Sequence, residues 1–189
     1  WWETFGLGKP TGIDLPGEGE GFLPSIEWKE KKTGTPWLLG DTYNVSIGQG
    51  DILTTPLQIV NYISAIANGG KLYELSVVES AEKPKLLADL SYLSGELRET
   101  RKGMREAVTE PLGTAHLLGD LGFSVGAKTG TAQVRANTEE NAFFVGYVPS
   151  DNPEIAILVL VENAREGSLN AVPIAKDVLN WYYWNRIRK

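Results

Sequence analysis

The tripeptide Lys128-Thr129-Gly130 has residue types that could bind an anion. It lies in GAKTGTAQV, residues 126–134, a run that otherwise has the composition of a β-strand. Lysine is unfavourable in a strand unless its charge faces water or a bound group. Strand alternation would place Lys128 and Gly130 on one side and Thr129 and Thr131 on the other. A lysine ammonium with nearby hydroxyls suits a carboxylate, and a glycine lets a ligand lie against the backbone. We therefore expect an anion-binding strand.

Lys128 has two other interpretations. A phosphate-binding loop requires a second glycine directly before the lysine and a helix directly after it. Ala127 occupies that position here, and the residues that follow favour a strand, so this pattern fails. A lysine on an edge strand can also serve only to oppose aggregation. Taken alone, the tripeptide favours this last interpretation, so the choice depends on the surrounding sequence.

The composition limits the kind of protein. The chain has 189 residues, of which 42% are hydrophobic and 22% charged, as in one soluble globular domain. Its net charge of −6, without a long basic run, argues against a nucleic-acid partner. There is no cysteine and only one histidine, His116, so we expect no metal site and no cofactor. His116 is expected to be a solvated surface residue, and no apolar run is long enough to cross a bilayer.

The predicted elements indicate an α+β fold. The Gly- and Pro-rich residues 5–51 are expected to be irregular. A helix is predicted from a Thr55–Gln58 capping box to Gly69 or Gly70. A second helix is predicted in residues 94–110, with Ser94 as its cap and an inward face, and a short strand is predicted in residues 71–80. The predicted inward residues are Leu57, Val60, Ile63 and Ala67 in the first helix, and Leu97, Met104 and Val108 in the second.

Three β-like runs follow, in residues 127–135, 141–149 and 154–163. Their short connections predict an antiparallel arrangement. A last helix is predicted to bury its Ile174, Val178, Leu179 and Tyr182 side. Helices before and after a three-strand meander predict an antiparallel sheet with helices on both faces. The chain begins without methionine, and we expect it to be a piece of a longer protein.

A set of motifs in this order resembles the C-terminal part of the transpeptidase domain of class B, elongation-type penicillin-binding proteins. The resemblance spans nearly the whole chain. The matching runs are residues 5–18 (FGLGKPTGIDLPGE), 40–58 (GDTYNVSIGQGDILTTPLQ), 66–70 (IANGG), 102–104 (KGM), 113–115 (GTA), 128–133 (KTGTAQ), 143–149 (FFVGYVP) and 153–163 (PEIAILVLVEN).

The resemblance implies a penicillin-binding, β-lactamase-like transpeptidase fold in which residues 1–189 are the C-terminal portion of one domain, with its N-terminal part missing. Family members cross-link D-Ala-D-Ala stem peptides through a serine acyl-enzyme and use S-x-x-K, S-x-N and K-T-G elements in that order. The pattern SAEK, residues 80–83, precedes a proline that disfavours a helix, and SDN, residues 150–152, resembles a turn. Both are interpreted as chance matches, so the nucleophilic serine is expected to lie outside this chain.

The resemblance also implies roles for individual residues. Lys128 and Thr131 would be catalytic, the latter through a backbone N–H in the oxyanion hole, and Thr129, Gly130 and Gln133 would bind substrate. The intact protein would bind stem peptides, β-lactams and proteins of a cell-wall synthesis complex. It would act on the extracytoplasmic face of the bacterial membrane, anchored by a segment absent here, while this chain alone would be inactive. The alternatives are a non-catalytic module that acts as a binding or scaffold partner, and an unrelated serine hydrolase that uses His116.

Overall fold

The computed structural model describes residues 1–79, 82–134, 139–164 and 166–188. Its helices and strands follow one another in groups, as three helices, two strands, one helix, three strands and a last helix, in an α+β arrangement. The helices are α1 (Ile26–Thr33), α2 (Leu39–Ser46), α3 (Pro56–Ala67), α4 (Ser94–Thr109) and α5 (Gly167–Tyr182), which a π-helical turn extends over Tyr183–Ile187. The strands are β1 (Lys71–Tyr73), β2 (Leu86–Asp89), β3 (Gly126–Val134), β4 (Glu139–Val148) and β5 (Ile155–Val161).

Strands β3, β4 and β5 form an antiparallel sheet in that order. This confirms the predicted meander, because the turn between β4 and β5 is short enough to reverse the chain directly. Strands β1 and β2 form a separate antiparallel pair. β1 ends at Tyr73, so it is shorter than the strand predicted for residues 71–80, of which Ser80 lies outside the described residues.

Helices cover both faces of the larger sheet, as predicted. Side chains on β4 alternate between two hydrophobic cores, because successive residues of a strand point to opposite faces. Phe144 and Val148 pack with α5 residues such as Val172 and Leu179. Val145 and Tyr147 pack on the other side, in a core formed with α3 and α4.

The local signals for α3 and α4 are largely confirmed. The Thr55 hydroxyl accepts a hydrogen bond from the Gln58 N–H at 3.2 Å, and the Gln58 side chain accepts one from the Thr55 N–H at 3.0 Å. In α3, Ile63 and Ala67 are buried as predicted, whereas Leu57 and Val60 are only half-buried. In α4, the predicted residues Leu97, Met104 and Val108 are all buried. Ser94 begins α4 but forms no cap, because a 3₁₀ turn precedes it and Leu93 takes the cap position.

The predicted inward face of α5 is wrong in part. Leu179 is fully buried, but Ile174 and Val178 are 46% and 45% exposed. Small residues form the buried face instead, namely Gly167, Ala171 and Ala175, together with Val172. They allow the helix backbone to approach the sheet closely, and Ile174 and Val178 lie on the more exposed side of the helix.

Residues 5–51 were expected to be irregular, and the structure corrects this by placing two short helices there. No residue of α1 is buried, and α2 buries only Val45, so neither helix has the apolar periodicity that identifies helices from sequence. Capping bonds stabilise them instead, since the Ser25 hydroxyl accepts from the Trp28 N–H at 3.1 Å and Asp41 accepts from the Leu38 N–H at 2.7 Å. Asp41 also pairs with Lys29 of α1.

Candidate functional site

Strand β3, which contains the tripeptide, lies at one edge of the sheet. It pairs only with β4 in the described part of the chain, and Lys128 is paired with Val145 while Thr129 is paired with Phe144. Paired residues of antiparallel strands share a face, so Lys128 and Gly130 lie on the α3/α4 side and Thr129 and Thr131 on the α5 side. The opposite edge of β3, which we call its free edge, pairs with no strand of the described residues, and extended peptides can add to sheet edges of this kind.

Lys128 is exposed, and its ammonium donates a hydrogen bond to the backbone carbonyl of Thr129. No carboxylate among the described residues forms an ion pair with it. The Thr129 carbonyl thus accepts only one of the three ammonium protons. The other two donors are directed to no acceptor among the described residues and could bind an anion at the edge of β3.

Thr129 is 8% exposed, and its hydroxyl donates to the Thr114 hydroxyl at 2.8 Å. Thr114 belongs to the loop after α4, and this loop is tied to the helix by a bond from the Ala115 N–H to the Ala107 carbonyl at 3.0 Å. A side chain at Gly113 would place its Cβ 2.2 Å from the same carbonyl oxygen, so the close approach requires glycine. The loop thereby fixes the hydroxyl that Thr129 contacts.

Gly130 is not required by the packing of the sheet. A Cβ at this position would lie 3.5 Å from the Phe143 Cβ, which is an ordinary van der Waals contact. Gly167, at the start of α5, differs, because its Cβ would lie 2.6 Å from the carbonyl oxygens of both Gly130 and Phe143. The start of α5 therefore rests on the backbone between β3 and β4, whereas a Cβ at Gly130 would meet only the Phe143 side chain at an ordinary contact distance.

Thr131 and Gln133 continue the strand beyond the tripeptide. The carbonyl of Thr131, which is half-buried, accepts a hydrogen bond from the Gln49 side-chain amide at 3.0 Å. Gln133 is exposed and is paired with Glu140 on β4. Gln49 and Thr114 both lie in runs that resemble the family, but the sequence predicts no role for either of them. A polar residue between two glycines, as in Gly48-Gln49-Gly50, was the available signal for a residue presented by a tight turn.

The start of β3 is shaped by Tyr147, its partner across the strand pair. Tyr147 is fully buried, and a Cβ at Gly126 would lie 2.5 Å from its ring, so glycine is required there. Burial raises the pKa of the Tyr147 hydroxyl; Arg101 opposes this rise, and Asp151 adds to it. Its hydroxyl has no hydrogen-bond partner in the described part of the chain. The phenol is neutral and serves as a packing group beneath the strand.

Of the two chance matches to catalytic elements, SDN lies within the described residues and SAEK lies only partly within them. Ser150 lies in the turn between β4 and β5, where its N–H donates to the Ser124 hydroxyl at 2.9 Å. Asp151 accepts from the same hydroxyl at 2.9 Å, so SDN is a structural turn, as interpreted from the sequence. In SAEK, Ser80 and Ala81 lie outside the described residues.

His116 is exposed in a 3₁₀ turn, as expected. It borders a depression of about 400 Å³ together with Arg105, Asp120 and Phe123, and no serine lines this depression. A second depression, of about 610 Å³, lies between the chain near Trp2 and helices α1 and α2. Neither is lined by β3, whose candidate site is an open strand edge rather than an enclosed cavity.

Two further properties concern the described residues only. None of their helices has the length and apolar character needed to traverse a lipid bilayer. They contain no group of three or more His, Cys, Asp or Glu side chains arranged to hold a metal ion.

Comparison with known proteins gives consistent matches. The family model of the penicillin binding protein transpeptidase domain matches residues 1–180. Among curated relatives, a protein of Haemophilus influenzae named peptidoglycan D,D-transpeptidase MrdA is 36% identical over 99% of this chain and 32% of its own length. The protein of the same name from Acinetobacter baumannii is 34% identical over 100% of this chain and 31% of its own length. The chain thus spans about a third of these relatives.

Solved structures show the same similarity in three dimensions. Pseudomonas aeruginosa PBP2, solved in complex with WCK 5153, superposes with a TM-score of 0.87 and 31% identity over 98% of this chain and 43% of its own. The Helicobacter pylori complex between the penicillin-binding protein PBP2 and MreC gives a TM-score of 0.86 and 34% identity over 97% of this chain and 34% of the other.

Proposed function

The chain belongs to the penicillin-binding protein transpeptidase family, as part of a class B transpeptidase domain, and we propose that its parent is a peptidoglycan D,D-transpeptidase. In this proposal, residues 1–189 are the C-terminal portion of a single transpeptidase domain. They supply the substrate-binding strand of the site, and polypeptide outside them supplies the nucleophilic serine. The observation that most supports the proposal is the free edge of β3, where the Lys128 ammonium has no carboxylate partner among the described residues.

The proposed substrate is a stem peptide that ends in D-Ala-D-Ala. It would lie in extended form along the free edge of β3, with its terminal carboxylate near the Lys128 ammonium. The missing side chain at Gly130 would let the peptide lie against the strand, and Gln133 would contact it farther along. The Thr129 hydroxyl already has a protein partner, so we assign it the role of orienting the strand and its bound carboxylate.

The proposed reaction is an acyl transfer. The serine oxygen attacks the carbonyl carbon of the penultimate D-alanine, and the oxygen of the tetrahedral intermediate accepts a hydrogen bond from the Thr131 backbone N–H. Collapse of the intermediate breaks the peptide bond, the proton of the serine hydroxyl passes to the amino group of the released D-alanine, and an acyl-enzyme remains. An amine of a second stem peptide then attacks the ester carbonyl and forms a new amide, and one of its protons passes to the serine oxygen as the ester bond breaks. A single oxyanion donor contributes about 3 kcal/mol to such a transition state.

The proposal extends to location and partners. One similar structure is the complex of Helicobacter pylori PBP2 with MreC, and another is described as structural coordination of polymerization and crosslinking by a peptidoglycan synthase complex. We propose that the parent of this chain also works with cell-wall synthesis proteins, on the extracytoplasmic side of a bacterial membrane. A β-lactam would enter the same site, because its fused ring presents a carboxylate and a reactive amide much as the stem peptide does.

The test is acylation of the parent protein by a fluorescent penicillin. We expect a covalent, hydroxylamine-sensitive label on the parent and no label on the isolated 189-residue chain. Lys128→Ala should lower the acylation rate about 100-fold or more, in the range seen when a transition-state contact is removed. Lys85→Ala is the matched control, since this side chain directly before β2 is 72% exposed and pairs with Glu74.

Two results would contradict the proposal. An unlabelled parent would favour the non-catalytic module, and a Lys128→Ala variant labelled at the rate of the unmodified protein would remove the anion-binding role of β3.

A further inference from the structure

We propose that Gln49 is a positioning residue for the oxyanion donor, an inference that rests on the proposed acyl-transfer function. Its side-chain amide donates to the Thr131 carbonyl at 3.0 Å, across 82 positions of sequence. Thr131 is the residue whose N–H the proposed reaction uses. Gln49 would act through that residue and would not contact the reacting atoms itself.

The contact lies at the edge of the sheet where no strand stabilises β3. Within a strand, the backbone groups of residues two apart point to the same side. The Thr129 and Thr131 carbonyls accept from the side chains of Lys128 and Gln49, whereas the Gly130 carbonyl lies beside that of Phe143 on β4. The N–H and C=O of Thr131 therefore face the free edge, and Gln49 takes the place of a missing neighbouring strand.

The turn that presents Gln49 is built rigidly. Gly48 and Gly50 on either side of it have φ angles of 79° and 80°, a left-handed conformation that favours glycine. The Gln49 N–H donates to the Asn44 carbonyl at 2.9 Å, and the Gly48 N–H donates to the Val45 carbonyl at 3.0 Å. The end of α2 thus holds the backbone of this turn, and the Gln49 side-chain amide couples the turn to β3.

The physical consequence concerns the direction of the Thr131 N–H. An edge strand without a partner can twist or shift, and an oxyanion donor is effective only when it lies about 2.7–3.1 Å from the position that the oxyanion will occupy. Anchoring the carbonyl of the same residue limits rotation of that part of the backbone. Loss of the anchor should therefore slow the chemical step and leave ground-state binding nearly unchanged.

The experiment measures acylation of the full parent protein by a fluorescent penicillin over a range of concentrations, which separates the saturated rate constant from the half-saturation concentration. Gln49→Met keeps the length of the side chain but cannot donate, and Gln49→Glu keeps its shape but offers an acceptor to a carbonyl. We expect either change to lower the saturated rate about 10- to 100-fold, with the half-saturation concentration changed less than about 3-fold.

The matched control is Gln58→Met. Gln58 is also a glutamine whose amide donates to backbone carbonyls, those of Lys9 and Glu20, at 2.8 and 2.7 Å. It contacts no residue of β3 through these bonds, so this variant should lose thermal stability while keeping the saturated rate. If thermal stability and the saturated rate fell together in the Gln49 and Gln58 variants, a general loss of packing would explain both losses. That result would overturn the inference.

A spectroscopic readout tests the position of the donor directly. The ester carbonyl of the acyl-enzyme absorbs at a lower infrared frequency when the oxyanion donors are aligned with it, and we expect Gln49→Met to shift it to higher frequency. If the wild type is labelled and both Gln49 variants keep its rate and its carbonyl frequency, this inference alone is overturned. An unlabelled wild type overturns the proposed function, and this inference with it.

Discussion

Tyr147 is a buried side chain whose polar atom contributes nothing by hydrogen bonding. It is fully buried beneath Gly126, and its hydroxyl has no partner among the described residues. Removing a buried hydroxyl without a partner relieves its desolvation cost. We expect Tyr147→Phe to raise the free energy of unfolding by about 1 kcal/mol, as measured by urea denaturation.

The control for that measurement is Tyr43→Phe, which alters a tyrosine that is 63% exposed and should leave the free energy of unfolding unchanged. A loss of stability in Tyr147→Phe would mean that the hydroxyl is satisfied in solution, for example by a buried water molecule.

At the scale of residues, the sequence predicted the face on which a side chain of β3 lies but not the residue that it contacts. Strand alternation predicts that Lys128 and Thr129 lie on opposite faces of the sheet, and the register with β4 confirms this. The partners of those residues could not be predicted. Thr114 and Gln49 are 15 and 82 positions away from the residues that they contact, and no local pattern encodes a contact of that range.

At the scale of elements, the beginning of a helix is the feature that the sequence specifies best when two side chains cap each other. The Thr55 and Gln58 pair satisfies two backbone N–H groups that would otherwise lack partners. We expect Thr55→Ala to lower the free energy of unfolding by about 1 kcal/mol in a denaturant titration.

Ser94→Ala is the matched comparison at the start of α4. The sequence suggested a cap there, but the Ser94 side chain makes no capping bond, so its removal should change stability by less than about 0.5 kcal/mol. Equal losses for the two substitutions would show that the capping bond at Thr55 is not what stabilises α3.

Helices α1 and α5 show why other elements escaped prediction. In α1, eight residues without a buried side chain give no periodicity to detect. In α5, periodicity is present, but large aliphatic residues occur on more than one face. The sequence cannot reveal that the sheet requires the face with Gly167 and Ala171, because the requirement comes from close backbone contact with β3 and β4.

At the scale of the whole molecule, hydrophobic cores hold the helices on the two faces of the sheet, whereas local polar contacts hold the loops. Several carboxylates hold loops together by accepting hydrogen bonds. Hydrogen bonds from the Val77 N–H and the Ser76 hydroxyl lower the pKa of Asp14. A hydrogen bond from Lys29 lowers the pKa of Asp41, and one from Lys176 lowers that of Asp120. Each interaction favours the ionised carboxylate in the folded protein.

Glu18 is the member of this group that closes the loop between residues 8 and 21. Burial raises the pKa of its carboxyl, but hydrogen bonds from the Thr11 hydroxyl and from the N–H groups of Thr11 and Gly12 outweigh burial, so the pKa lies below its ordinary value of 4.5. These bonds measure 2.5, 2.6 and 3.1 Å. Since the unfolded chain binds the proton more tightly, protonation opposes folding.

We therefore expect the stability of the protein to fall in acid. The contribution of Glu18 is fully present above pH 4.5, the ordinary value for a glutamate, and is lost as the pH falls through its lower folded pKa. Melting temperatures measured between about pH 7 and pH 3 should decline less steeply for Glu18→Gln than for the unmodified protein. Glu20→Gln, at an exposed position in the same loop, should follow the unmodified protein. If the Glu18→Gln curve instead ran parallel to that of the unmodified protein, the loop would not depend on this carboxylate, and the acid sensitivity would have to come from the other bonded carboxylates.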